Sequence, residues 1–288
     1  MRKYIITISA ALIVGLIAGC GGGSSSAPTV VSGKVADGYL VGATVFLDKN
    51  NNYLLDAASE PHTTTNANGV YALNIDPADV GKYPLVAMAI TGVTIDKDTN
   101  QTVSNSYTLS MPATAMSGTV NSNFISPMST LIREKMAANA GISLTDAMTQ
   151  LRNQMNISAG IDMMADYVAG SQSGVNTAQY QAMYANAQKM AELMGGQAGL
   201  VMPGNVINVN RYRSMMGTIN SNMSAISANT MSSTFMTNMM SQMQTQLGVM
   251  PISGAFTNFS GMFRNMTSHS SFWNGSTPVT PMSGSMMY

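Results

Sequence analysis

Residues Asp37 to Leu73, DGYLVGATVFLDKNNNYLLDAASEPHTTTNANGVYAL, restrict the possible folds of this chain most strongly. They read as two β-strands around an acidic, Asn-rich loop, then a turn and a third strand. Val41 to Leu47 (VGATVFL) is a short β-branched and aromatic run ended by polar residues. Side chains of that kind suit a pleated, half-buried surface. Val70 to Ile75 (VYALNI) alternates apolar and polar residues, the period of a strand with one buried face. Between them, Asn66 to Gly69 supplies a turn with a glycine free to take positive φ.

The same strand pattern extends on both sides. Thr29 to Val35 reads as a first strand and Asp37-Gly38 as a turn. Asp76-Pro77 ends VYALNI, Tyr83 to Ile95 gives one or two further strands, and Ser106 to Met111 gives the last. Between these, Asp96 to Asn100 (DKDTN) is an acidic turn. Asp96 and Asp98 could bind a cation, though a solvated hairpin is the plainer account. Short strands with frequent turns predict an antiparallel β-sandwich over residues 29–112. From Ser126 the period changes. Ser126-Pro127 marks a helix N-cap followed by Pro at the first helical position, with Met128, Leu131, Ile132 and Met136 as an apolar stripe and Gly141 as its end. Ser143 to Asp146 resembles a capping box before Leu144, Ala147, Met148, Leu151 and Met155. Asn176 caps a third helix with Tyr180, Met183, Tyr184, Ala187, Met190 and Met194 on its buried face. Two more helical segments are expected over Arg211–Asn229 and Ser232–Leu247. The expected class is therefore α+β, with a Met-rich α-helical domain over residues 126–250. Residues 251–288 carry Phe256, Phe259, Phe263, Phe272 and Trp273 among small polar residues and stay unassigned.

The acidic loop carries a chemical pattern. Asp48, Asn50, Asn52, Asp56 and Glu60 stand at relative positions 1, 3, 5, 9 and 13. Oxygen-bearing side chains at alternate positions can converge on a hard cation, and Ca2+ accepts several carboxylate and amide oxygens in flexible geometry, with affinities of roughly 0.1–1 mM in extracellular modules. The alternative is a polar connection in which Asn and Asp side chains cap turns. DGYL-x-GATVFLD, a D-x-N-x-N loop, Glu60-Pro61 and TTT-x-A-x-G-x-Y-x-L together resemble the carboxypeptidase-regulatory-like or SdrD B-like β-sandwich modules of bacterial surface lipoproteins. In those modules the loop is D-x-N-x-N-G-x-x-D-x-G-E-P. Here Tyr53 replaces the glycine and one extra residue precedes Glu60. The resemblance continues through Tyr83–Thr99 and Ile125–Ile132 and fades beyond Ile157. It implies a prealbumin-like sandwich and an envelope location, and no single activity.

Residues 1–19 read as a secretory signal, with Arg2 and Lys3 before a mostly apolar run from Ile5 to Ile17 that falls short of a span. Leu16-Ile17-Ala18-Gly19-Cys20 resembles the bacterial lipobox, which makes Cys20 the lipidation site. Several acyl chains on one residue anchor firmly where one is marginal. Cys20 is the single cysteine, so no intramolecular disulfide can form. Residues 20–28 continue as a Gly/Ser tether. In a Gram-negative host, Gly21 after the cysteine favours an outer-membrane lipoprotein, with surface exposure as one of two orientations. Every acidic residue lies at or before Glu192, and beyond it only Arg211, Arg213 and Arg264 are charged. No dense basic patch exists, which argues against nucleic acid as a partner.

The chain has 28 methionines, concentrated in the helical half. Thioethers are soft ligands for Cu(I), and Met236, Met239, Met240 and Met243 share one helix face. The other readings are an adaptable core and a soft partner groove. Core packing is favoured because the spacing is helical and neither His clusters nor dense Met-x-Met runs occur. Only His62 and His269 are present, and neither sits in a nucleophile elbow, a metal-binding His-Glu pair or a phosphate loop. The expectation is a non-enzymatic, lipid-anchored envelope protein. It would act as a binding or structural module for a protein or surface polymer, with calcium as the candidate cofactor and a Cu(I)-binding lipoprotein as the alternative.

Overall fold

The chain enters its fold at β1 (Thr29–Val35), in which Val31 and Val35 are buried. The computed structural model describes residues 27–118 and 123–251. The expected signal segment, Cys20, most of the expected tether and residues 252–288 lie outside the described residues. A single strand is expected from Val41 to Leu47, but two form: β2 (Leu40–Val41) and β3 (Thr44–Leu47). Gly42, at φ +73°, divides them, because a left-handed residue cannot continue an extended run. The chain returns through the acidic loop as β4 (His62–Thr64), and β5 (Val70–Ile75) follows the Asn66–Gly69 turn. In β5, Tyr71, Leu73 and Ile75 point inward while Ala72 and Asn74 are exposed, as the alternation requires.

β6 (Leu85–Ala89) is the one strand of four or more residues within Tyr83–Ile95. Gly92, at φ +75°, then turns the chain into the small hairpin β7 (Ile95–Asp96) and β8 (Gln101–Thr102) around the DKDTN turn. β9 (Tyr107–Met111) and β10 (Asn123–Ile125) complete the strands among the described residues. They form a four-stranded sheet, β4-β3-β6-β9, and two three-stranded sheets, β10-β1-β5 and β2-β7-β8. Most pairs are antiparallel. The exception lies beyond the expected 29–112 sandwich: β10 runs parallel to β1, with Gly33 opposite Asn123 and Val35 opposite Ile125. β10 reaches β1 from a distant part of the chain, so no hairpin turn dictates their direction. Buried Asn123 fixes the arrival. Its Nδ2 donates to Ser32 O at 3.0 Å and Ser117 O at 2.8 Å, and its Oδ1 accepts from Ser117 N at 2.7 Å.

Helix α1 (Pro127–Ala138) follows directly, capped by Ser126 with Ser129 completing a reciprocal box and Pro127 in its first turn. Every residue from Pro127 to Glu134 is buried. α1 also closes the open edge of β9. Thr130 Oγ1 accepts from Ser110 N at 2.8 Å, and Ser129 Oγ donates to Ser110 O at 2.6 Å. An edge strand's free backbone groups thereby gain side-chain partners, which a buried edge needs. α1 ends at Ala138, with Asn139 rather than Gly141 as its C-cap.

The remaining helices among the described residues are α2 (Leu144–Gln154), α3 (Tyr167–Gly170), α4 (Thr177–Gly196), α5 (Ala198–Val201), α6 (Val209–Ser221), α7 (Met223–Ala228) and α8 (Ser233–Gly248). Ser143 and Ser232 cap α2 and α8 through their side chains, whereas Asn176 makes no side-chain cap on α4. The single segment expected over Arg211–Asn229 is broken at Asn222. There the Asn222 Nδ2 takes the Thr218 carbonyl at 2.9 Å, a local bond that competes with helix continuation. The architecture is mixed α+β, and the buried apolar residues run as one continuous cluster from the strands into the helices.

Candidate functional site

Asp48 is the first residue after β3 and is fully buried. Its Oδ1 accepts from Asn52 N at 3.0 Å and its Oδ2 from Tyr53 N at 3.2 Å. The next turns repeat the same local chemistry. Asn50 Oδ1 accepts from Asn52 N at 3.1 Å, and Asn52 Oδ1 from Leu54 N at 2.7 Å. These are Asx turns, which suit short side chains two residues ahead of a free N–H. Asn50 Nδ2 donates to Asp56 Oδ2 at 2.6 Å. Glu60 closes the mouth, its Oε1 accepting from Lys49 N at 2.8 Å and its Oε2 from Asp56 N at 3.0 Å. Of the five residues expected to ligate a cation, the structure brings Asn50 and Asp56 together at the exposed rim. It spends both oxygens of Asp48 and both of Glu60 on backbone N–H groups.

Tyr53 explains the departure from the glycine pattern. Its φ is +62°, a conformation glycine adopts freely and a bulky residue rarely takes. The strain is offset because the ring is wholly buried. It packs 4.9 Å from the ring of Tyr212 on α6, and its hydroxyl donates to Glu134 Oε1 on α1.

Arg133, beside Glu134 on α1, completes the cluster. Its Nη2 lies 3.1 Å from Asp48 Oδ2 and 2.6 Å from Asn51 Oδ1, and its Cζ lies 4.1 Å from the Tyr53 ring centroid. The Arg133 and Asp48 side chains are 5% and 0% exposed. Arg213 of α6 approaches the same ring at 5.6 Å. Burial raises the Glu134 carboxyl above its ordinary value, against the opposing pull of Arg133, the Tyr53 hydroxyl and Arg213. Sequence reading noted Tyr53 only as a departure from the glycine pattern and missed Arg133 and Glu134. The available signal was Glu134 standing three residues after Leu131, which puts a charge on the apolar face of α1.

The second acidic group is held differently. Asp98 accepts from Tyr184 Oη and, at 3.0 Å, from Gln188 Nε2, both on α4. Asp37 Oδ2 accepts from Tyr107 Oη at 2.7 Å, while its buried Oδ1 has no hydrogen-bond partner among the described residues. Burial first, then the nearby charges of Asp96 and Asp98, push the Asp37 carboxyl up to about 7 against the Tyr107 hydrogen bond. Among the described residues no group of three or more His, Cys, Asp or Glu is arranged to hold a metal ion. Met236, Met239 and Met243 of α8 are buried in the shared core. Met240 is partly buried against that core, with its sulfur close to Gly196. His62 Nδ1 lies 3.0 Å from Glu60 O, and His269 lies outside the described residues. Comparison with known proteins finds no family model, no curated protein and no solved structure that matches this chain.

Proposed function

We propose that the chain is a lipid-anchored protein of the bacterial envelope that serves as a binding or structural module for a protein or surface-polymer partner. One observation carries this reading. Leu16 to Cys20 has the form of a lipidation signal, and the Gly/Ser run after it ends where β1 begins at Thr29. A flexible tether of that composition lets a folded body stand off the bilayer. In this reading the strands are a prealbumin-like sandwich module. The Met-rich helices form the layer against it, with their thioethers serving as adaptable core packing. The anchor is in the outer membrane, and the protein is not an enzyme.

Cys20→Ser tests the anchor. The wild-type protein is expected in the detergent phase of a membrane extract, and the variant in the aqueous phase. A variant that stays in the detergent phase contradicts the reading. Protease treatment of intact cells, with lysed cells as control, then separates the two orientations. Loss from intact cells favours adhesion or an extracellular assembly, whereas survival until lysis favours a scaffold facing the periplasm.

A further inference from the structure

We propose that Arg133 of α1 is the fixed cation of the acidic loop, so that the Asp48–Glu60 loop is ordered without calcium and is locked onto the helical layer. The loop's donor set does not suit a bound divalent ion. A hard cation needs several free carboxylate or carbonyl oxygens. Glu60, which would close the shell, is turned inward and holds the loop's own backbone at Lys49 and Asp56. Asp48, which would open it, already faces the guanidinium at 3.1 Å. The remaining side chains, Asn50, Asn52 and Asp56, hold a single carboxylate, and Asn50 presents its Nδ2 to that carboxylate. A calcium ion on Asp48 would share that residue with a buried positive charge, where low dielectric magnifies repulsion.

The guanidinium also performs what a central cation performs in such loops. It draws two loop residues, Asp48 and Asn51, onto one point. One nitrogen, Nη2, reaches both, and the guanidinium face covers the ring of Tyr53, the residue that replaces the glycine. The two departures of this loop from the calcium pattern thus belong to one device. Tyr53 keeps the left-handed turn while filling the space beneath Arg133, and the late Glu60 reaches back to the loop's mouth. The loop's register is set by α1, with the Tyr53–Glu134 hydrogen bond as its second tie.

The experiment compares thermal melts of the lipid-free protein with its wild-type loop and of Arg133→Met, each in millimolar calcium and in chelator. The wild-type protein should melt at the same temperature in both. Arg133→Met should melt about 10 °C lower in chelator, because one buried partner is removed from a charge pair. Calcium should restore part of that loss, since Asp48 is then open to a metal. A wild-type melt that rises in calcium overturns the proposal, as does a folded Arg133→Met that ignores calcium. If that variant does not fold, terbium emission sensitised by Tyr53 decides the matter on the wild-type chain. No saturable signal above that of Asp48→Asn is expected, and a saturable signal that Asp48→Asn removes overturns the proposal.

Discussion

Replacing Gly33 with alanine is expected to lower the stability of this protein by about 3 kcal/mol or more, and its melting temperature by about 10 °C. Gly33 lies within β1, paired with Tyr71 of β5 on one side and Asn123 of β10 on the other. A Cβ built there would stand 1.7 Å from Asn123 O and 2.5 Å from Asn123 C. Both are backbone atoms, so no rotamer change relieves the clash. Asn123 cannot move alone either, because its side chain ties β1 to the Ser117 turn. Displacing β10 would uncover Phe124 and Ile125 and shift the start of α1. Gly160→Ala is the control, since nothing lies within 4 Å of its added Cβ. Equal melts for the two variants by circular dichroism would contradict the parallel β1–β10 register.

Stability should fall as pH rises from about 4 to about 7, by about 4 kcal/mol from Asp37 alone. The Asp37 carboxyl is raised to about 7 in the folded protein, chiefly by burial, while an unfolded aspartate titrates near about 3.9. Between those values the folded state holds a proton that the unfolded state has released. The contribution is therefore fully present below the unfolded value and lost as pH passes the folded one. The groups around it reinforce the sign. Asp96 of the β7–β8 hairpin is itself raised by burial, Asp98 adds negative charge, and the facing phenols of Tyr107 and Tyr167 carry no positive charge. Buried Glu134 shifts in the same direction. Asp37→Asn keeps an acceptor for the Tyr107 hydroxyl and removes the charge. It should flatten most of the slope and make the protein more stable than wild type at pH 8. Urea melts across this range read the effect, and a flat wild-type profile would contradict it.

Local chemistry made much of this fold legible. The alternation in Val70–Ile75, the serine caps at Ser126 and Ser143, and the apolar stripe on α8 all report contacts within a few residues. Features that depend on distant partners were not legible. β10 is three residues long and takes its direction from β1, far away in the chain. Arg133 reads as an ordinary surface charge until Asp48 is found beside it. Tyr53 reads as a departure from a glycine pattern, although the backbone there still has the glycine conformation. In the loop, the spacing of Asp48, Asn50, Asn52, Asp56 and Glu60 left open which way each side chain points. Asx turns and cation ligation call for the same side chains, and what separates them is which way each oxygen points.

The anchor is the central claim, and the N-terminus of the mature protein tests it most directly. Mass spectrometry of the N-terminal peptide from purified membranes should find Cys20 as the first residue, carrying a thioether-linked diacylglycerol. A mature chain that begins elsewhere, or an unmodified Cys20 thiol, would contradict the account.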